Sequence, residues 1–221
     1  MGKLIVIEGL DGSGKSTQLE LLKDRLKAEG IPSKAISFPD YESDSSALVK
    51  MYLAGKFGDK PSDVNPYAAS LFYCVDRYAS FKSKWEKDYS SDKIIVAGRY
   101  TTSNAIHQAC KLESSEWKPF LDWLYDIEYN KVGIPAPDLV IFLDMPVEVS
   151  QKLLSNRYHG DEGSKDIHEK DVEYLNACRK AAKFVADYSG YKTVNCACGG
   201  EPRALKDIAE DIFTLVKEEI R

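Results

Sequence analysis

One stretch constrains this chain more than any other. Gly9 to Ser16, GLDGSGKS, sits between the apolar run KLIVIE and the helical stretch TQLELLKDRL. The spacing is G-x-x-x-x-G-K-[ST], and a strand before it with a helix after it is the context that motif requires. Gly9, Gly12 and Gly14 let the backbone curl until successive N–H groups point inward at phosphate oxygens. A helix beginning near Lys15 adds the positive end of its dipole. Lys15 would then lie between β- and γ-phosphates, and Ser16 would offer its hydroxyl to Mg²⁺. Leu10, Asp11, Ser13 and Thr17 complete the candidate ATP-binding set. A plain glycine-rich turn is the bland alternative, and the flanking strand and helix weigh against it. The pattern implies a nucleoside triphosphate.

The rest of the chain alternates short apolar runs with longer helical patterns. Strands are expected at Leu4–Ile7, Ala35–Phe38, Ile94–Ala97, Leu139–Leu143 and Lys192–Asn195. Leu19, Leu22 and Leu26 recur at helical spacing before Gly30 stops the first helix. Pro66 marks another helix start in NPYAASLFYCVDRYASFKSKW. Further helices are expected around 114–130, 146–156, 169–187 and 203–220. Continuous apolar strands alternating with helices predict an α/β chain whose five-stranded parallel sheet is covered on both faces, in three layers, as one domain over 1–221.

Composition bounds the function classes. With 43% hydrophobic and 29% charged residues the chain reads as an ordinary globular protein. A net charge of −5 argues against broad binding of nucleic acid or anionic membranes. No apolar run approaches the ~18 residues of a membrane span. The opening MGKLIVIEGL runs directly into a strand and lacks the shape of a signal peptide. Five cysteines is an odd number, and Cys196 and Cys198 stand one residue apart, a spacing that fits neither a zinc knuckle nor a redox pair. Free thiols in a reducing cytoplasm are expected.

A phosphate-binding loop of this kind, a P-loop, does not name a reaction. A GTPase needs N-K-x-D to read guanine, and here Asn130-Lys131 is followed by Val-Gly. Mechanical ATPases usually come with larger assemblies. A chain of this length with the loop near its start most often phosphorylates a small metabolite, by analogy.

The ordered motifs carry the identification further. IEGLDGSGKSTQ, FPDY, LFYCVDRY, GRYTTSNAIHQ, PDLVIFLD and DIHEKDVEYL follow one another along the chain. In LFYCVDRY, Tyr73 and Arg77 share one helical face, whereas Phe72, Val75 and Ala79 share another that looks like core. The first face offers an aromatic plane and a guanidinium, the parts of a base site. Together these motifs resemble the thymidylate kinase family, nearly end to end.

The resemblance implies a P-loop NTPase fold of the nucleoside monophosphate kinase kind, with a lid at about 156–171, moving the γ-phosphoryl of ATP onto dTMP with Mg²⁺. It implies Tyr73, rather than Phe72, as the stacking aromatic, with Phe38 beside the same base and Arg77 donating to thymine O4. Asp11 would bind the acceptor's 3′-hydroxyl and help place its phosphate. Arg99 leaves the C-terminal end of a strand, where ligands of parallel sheets bind, and would grip that phosphate with its planar fork. Ser103, Asn104 and Gln108 would line the pyrimidine, and Ser103 can equally cap the helix that follows. Family members carry a transferring-phosphoryl arginine in the P-loop or the lid. Gly12 occupies the P-loop place, so Arg157 is the lid candidate and Lys165 the second. The catalytic set is thus Lys15, Arg99, Asp11 and Arg157, and homodimers are common in the family.

Three departures stand out. Gly98 occupies a place where the family usually has Asp. FPDY, with Asp40 and Tyr41, lacks the arginine that contacts the acceptor phosphate. His107 replaces the usual tyrosine near the sugar. They leave open weaker acceptor binding, a different deoxynucleotide or deoxynucleoside as acceptor, or an ATP-binding protein with impaired catalysis.

Overall fold

β-Strands with apolar residues at every position need cover on both faces, and the chain supplies it. The computed structural model describes residues 2–157 and 172–221. β1 (Leu4–Gly9), β2 (Ser33–Ser37), β3 (Ile94–Gly98), β4 (Leu139–Asp144) and β5 (Lys192–Asn195) form one sheet in the order β2-β3-β1-β4-β5, with every pairing parallel. Alternation sends successive residues of β1 to opposite faces. Ile5 and Ile7 meet α1 (Lys15–Ala28) and the last helix through Leu19, Leu22, Ile212 and Phe213. Leu4 and Val6 turn the other way, toward Phe81, Trp85 and Tyr100. The three layers are those the alternation predicts, and the five strands are those expected, with shifted ends: β2 begins at Ser33 and closes before Phe38.

The helices that shape the site are α2 (Ala47–Leu53), α3 (Pro66–Ser80), α4 (Glu86–Ser90), α5 (Thr101–His107) and α6 (Trp117–Tyr125). α7 (Val147–Arg157), α8 (Val172–Ser189) and α9 (Leu205–Glu219) follow, and a small hairpin pairs β6 (Ala197–Cys198) with β7 (Glu201–Pro202) between β5 and α9. Asn65 caps α3 by accepting from the Tyr67 and Ala68 amides, and Pro66 takes the first helical position, where no amide is needed.

Three expectations about the helices change. The single helix over 114–130 is a 3₁₀ turn, then α6, then a π-helical segment over Asp126–Val132. On α3, Phe72, Val75 and Ala79 are not the core face. Val75 is 55% exposed, and the buried face runs through Ala69, Cys74, Asp76 and Arg77. A short apolar ridge looks alike whether it meets the core or the outside, and helical spacing alone does not distinguish them. The expected lid over 156–171 lies almost wholly outside the described residues, as do Lys165 and the side chain of Arg157.

Candidate active site

The sheet reverses its winding beside β1, with β3 on one side and β4 on the other, and ligands of open parallel sheets bind outside the strand ends at such a point. A cleft of about 840 Å³ opens there. Its wall brings together Asp11, Gly12, Gly14, Lys15, Ser16 and Thr17 from the loop with Phe38, Tyr73, Arg77, Arg99, Ser103, Asn104, His107 and Gln108. Residues as far apart as 11 and 108 thus share one wall. Leu10 and Ser13 are buried behind it, and Gly9 continues β1.

The loop's geometry depends on its glycines. Gly12 has φ +76°, and a Cβ there would stand 2.6 Å from the Ser150 carbonyl oxygen. Gly14, with φ +88°, is the N-cap of α1. Both conformations cost an L-residue strain. The Lys15 ammonium donates to the Leu10 carbonyl at 2.8 Å and lies 3.8 Å from Asp11, so it is held across the loop.

Arg99 follows β3 directly. Its amide donates to Ile7 of β1 at 3.1 Å, and its backbone takes φ +65°, which only a few per cent of non-glycine residues adopt. One end of the guanidinium donates to Asp11, and the other donates to the Ser103 hydroxyl at 3.0 Å and lies 3.3 Å from His107 Nε2. Burial disfavours the charge on Arg99, but Asp11 and Glu8 more than offset that, and its pKa is raised. The site keeps a permanent cation between the loop and the pocket.

A carboxylate does stand near position 98, on the neighbouring strand: Glu8. It is fully buried, accepts from Thr102 Oγ1 at 2.6 Å, Ser103 Oγ at 2.8 Å and the Gly9 amide at 2.9 Å, and stands 3.8 Å from Arg99. A Cβ on Gly98 would meet Leu19 Cδ2 at 3.1 Å. The space beside β3 is filled by α1 packing, while the neighbouring strand and loop carry the negative charge around Arg99.

The rest of the wall is built by α3 and α5. Arg77 is 1% exposed and donates from Nε at 2.7 Å, and again from Nη2, to Glu128, which is fully buried. A merely solvated arginine is thereby excluded. Thr101 donates to the same carboxylate at 2.8 Å. Asn104 Nδ2 donates to the Ser70 carbonyl at 3.1 Å, which turns its Oδ1 away from that bond. Gln108 is buried, and among the described residues its Oε1 has no hydrogen-bond partner. Tyr73 lies edge-on to Tyr52 at 6.4 Å, and Phe38 lies against Tyr100 at 5.8 Å. Asp40, by contrast, forms an exposed ion pair with Lys84 at 2.5 Å.

Sequence reasoning did not find Glu128, Thr101 or Thr102. A carboxylate 51 residues from its arginine leaves no local spacing to read. Arg77 lies on the buried face of a helix that also buries Cys74, and a buried guanidinium requires a partner.

The thymidylate kinase family model matches residues 7–198. Human thymidylate kinase is 32% identical over 220 residues, 100% of this chain and 92% of that protein. Thymidylate kinase from Mycobacterium tuberculosis (strain H37Rv) is 30% identical over 172 residues, 77% of this chain and 79% of that protein. The solved thymidylate kinase of Candida albicans shares the fold, with a TM-score of 0.71 over 98% of this chain and 92% of that one, at 22% identity.

Proposed function

This chain belongs to the thymidylate kinase family, and from that premise we propose how its cleft joins ATP to dTMP. The chain is an ATP-dependent nucleoside monophosphate kinase, a phosphotransferase. The observation that carries the residue-level reading is the Asp11–Arg99 contact, which joins the triphosphate loop to the acceptor wall. A phosphoryl in transfer must pass that junction, where Lys15 and Arg99 present fixed positive charge. Such preorganised charge is the main lever on phosphoryl transfer.

Asp11, Lys15, Arg99 and Arg157 form the proposed catalytic set. Gly9 to Thr17 hold ATP. Phe38, Tyr73, Arg77, Ser103, Asn104, His107 and Gln108 form the acceptor wall, and the base reading follows from their bonds. With Nδ2 committed to Ser70, Asn104 turns an acceptor, Oδ1, toward a ring N3–H. Arg77, anchored by Glu128, presents donors to a 4-keto oxygen. Thymine matches both; cytosine, with an N3 acceptor and a 4-amino donor, matches neither.

Mg²⁺ suits the residues present. Among the described residues no three His, Cys, Asp or Glu side chains form a cage, and Mg²⁺ generally takes one or two protein oxygens plus substrate phosphates and water. Ser16 is the proposed ligand. When bound, the ion neutralises charge on the β- and γ-phosphate oxygens.

A homodimer is supported by an apolar surface. Leu48 and Met51 of α2 and Leu71, Val75 and Tyr78 of α3 are exposed on helices that pack together. Such patches mark interaction sites. Replacing Val75 and Leu71 by Glu should convert a dimer to a monomer in light scattering, and a parent protein already monomeric would end this reading. We also place the chain in the cytoplasm, where its five free thiols stay reduced.

The deciding measurement is coupled ADP release with ATP, Mg²⁺ and dTMP, dUMP, UMP, dCMP or thymidine. The expected outcome is dTMP first, dUMP close behind, dCMP and thymidine far below. Another acceptor in the lead would mean that Asp40, Tyr41 and His107 have redirected the site, and no turnover with retained ATP binding would end the kinase reading for this chain.

A further inference from the structure

Five cysteines are free, and two of them meet. Cys110 lies in the turn Ala109–Lys111 that follows α5, and Cys178 lies on the buried face of α8. Their sulfurs stand 3.0 Å apart, although 68 residues separate them in sequence. That is closer than the ~3.5–4.0 Å of an ordinary non-bonded carbon contact. A disulfide needs about 2.05 Å, so closure asks for roughly 1 Å of movement.

We propose that Cys110 and Cys178 are a peroxide-sensitive dithiol that closes to a reversible disulfide, and that closure is felt at Arg99 through His107. The link is one side chain long. His107 Nδ1 lies 3.6 Å from Cys178 Sγ, and its Nε2 lies 3.3 Å from the Arg99 guanidinium. The backbone around His107 is tied to the same cluster. Its carbonyl accepts from Cys110 Sγ at 3.3 Å and from the Tyr174 hydroxyl at 2.8 Å. Drawing Cys178 toward Cys110 withdraws the sulfur from His107 and changes the support behind the arginine.

The two thiols differ in access, which divides their roles. Cys110 is partly exposed, whereas Cys178 is fully buried and its thiol is pushed up by burial. Lys111 follows Cys110 in the same turn, with its amine bonded to the Tyr52 hydroxyl and the Val64 carbonyl. The Cys110 thiolate attacks one oxygen of hydrogen peroxide, breaking the O–O bond to give a sulfenic acid and hydroxide, which takes a proton to become water. The Cys178 sulfur then attacks the Cys110 sulfur, the S–O bond breaks, and hydroxide leaves with the Cys178 proton as a second water. Two thiols and one peroxide become one disulfide and two waters. The other three cysteines lack such a partner: Cys74 and Cys196 are buried with thiols pushed up by burial to about 11 and about 12, and Cys198 is exposed on the small hairpin.

The test treats the full chain with hydrogen peroxide, alkylates the remaining thiols and maps peptides by mass spectrometry. The expected result is a Cys110–Cys178 cross-linked peptide that dithiothreitol removes. Steady-state kinetics on the same samples should show the dTMP KM raised about tenfold with the ATP KM nearly unchanged, reversed by dithiothreitol and absent in Cys110→Ser. Only this kinetic arm rests on the kinase reading, so peptide mapping stands even if that reading fails. Retention of both thiols, or oxidation confined to Cys198, overturns the proposal. A disulfide that forms without moving the dTMP KM overturns its connection to Arg99. Cys110 is the variant of choice because its partial exposure spares the core that Cys178→Ser would disturb.

Discussion

Arg99 combines an uncommon backbone conformation with a side chain held at both ends, by Asp11 and by Ser103. Residues held in sparsely populated backbone regions persist where the surroundings over-determine them. Glu8, on the adjacent strand β1 and far away in sequence, lies 3.8 Å from the guanidinium and completes that enclosure. Arg99→Lys keeps the charge and loses the fork. Its kcat/KM for dTMP should fall by about 10²–10³, the usual cost of one lost oxyanion donor, while ATP affinity stays close to the parent value. A fall of less than about threefold would remove Arg99 from the acceptor phosphate. Lys111 offers a second prediction at this scale. Its amine donates to Tyr52 at 2.8 Å and to the Val64 carbonyl at 3.3 Å, and burial lowers its pKa from 10.5 to about 8. Between those two values the unfolded chain holds a proton that the folded chain has released, so this residue makes stability rise with pH across that window. The rise amounts to at most ~3 kcal/mol at 1.36 kcal/mol per unit. Buried tyrosines and thiols titrate in the same range with the opposite sign. Urea unfolding of the parent and Lys111→Met across pH 7 to 11 isolates the lysine as the difference between the two curves, and parallel curves would refute it.

At the scale of elements, the cleft wall is tied by a buried ion pair between helices distant in sequence. Arg77 of α3 and Glu128 of the π-helical segment are almost fully excluded from solvent. Removing one partner leaves a buried charge uncompensated, a loss of ~3–5 kcal/mol. Glu128→Ala should therefore lower the unfolding free energy from urea titration by that amount, whereas Asp122→Ala, which breaks an exposed pair with Lys118, should cost at most ~1 kcal/mol. Equal losses in the two variants would show that the Arg77–Glu128 pair has no special weight. The comparison also marks what the sequence makes legible. β1, β3 and β4 could be read because continuous apolar runs have one stable home, and α1 because Leu19, Leu22 and Leu26 repeat at helical spacing. The loop, Tyr73 and Arg99 were legible because their chemistry is local to a motif. Glu128 was not, since its partner is set by tertiary packing. The outward-facing ridge of α3 was misread because an apolar face meant for another surface carries the same pattern as a core face. Around Gly98, tertiary packing brings Glu8 and Asp11 of the neighbouring strand and loop to Arg99.

At the scale of the whole molecule, the sheet brings the loop and the α3–α5 wall to one cleft, where Asp11 and Arg99 meet. In the proposed reading each half rests on its own elements: the loop and α1 for the triphosphate, α3 and α5 for the acceptor. Ligands that bind only the folded state stabilise it by about 2.7 kcal/mol at 100 times Kd. For a chain of this size that corresponds to a rise in Tm of about 5–10 °C. A non-hydrolysable ATP analogue with Mg²⁺ and dTMP should each produce such a shift alone. Lys15→Met should lose the first and keep the second, and Arg99→Lys should do the reverse. The bridge itself is tested by Asp11→Asn, which retains the shape and removes the charge between Lys15 and Arg99. If the two halves communicate through that carboxylate, the parent's shift with both ligands exceeds the sum of the separate shifts, and the excess disappears in Asp11→Asn. Strictly additive shifts in the parent would mean that the halves share a cleft without being coupled, and the Asp11–Arg99 contact would then position each residue for its own ligand alone.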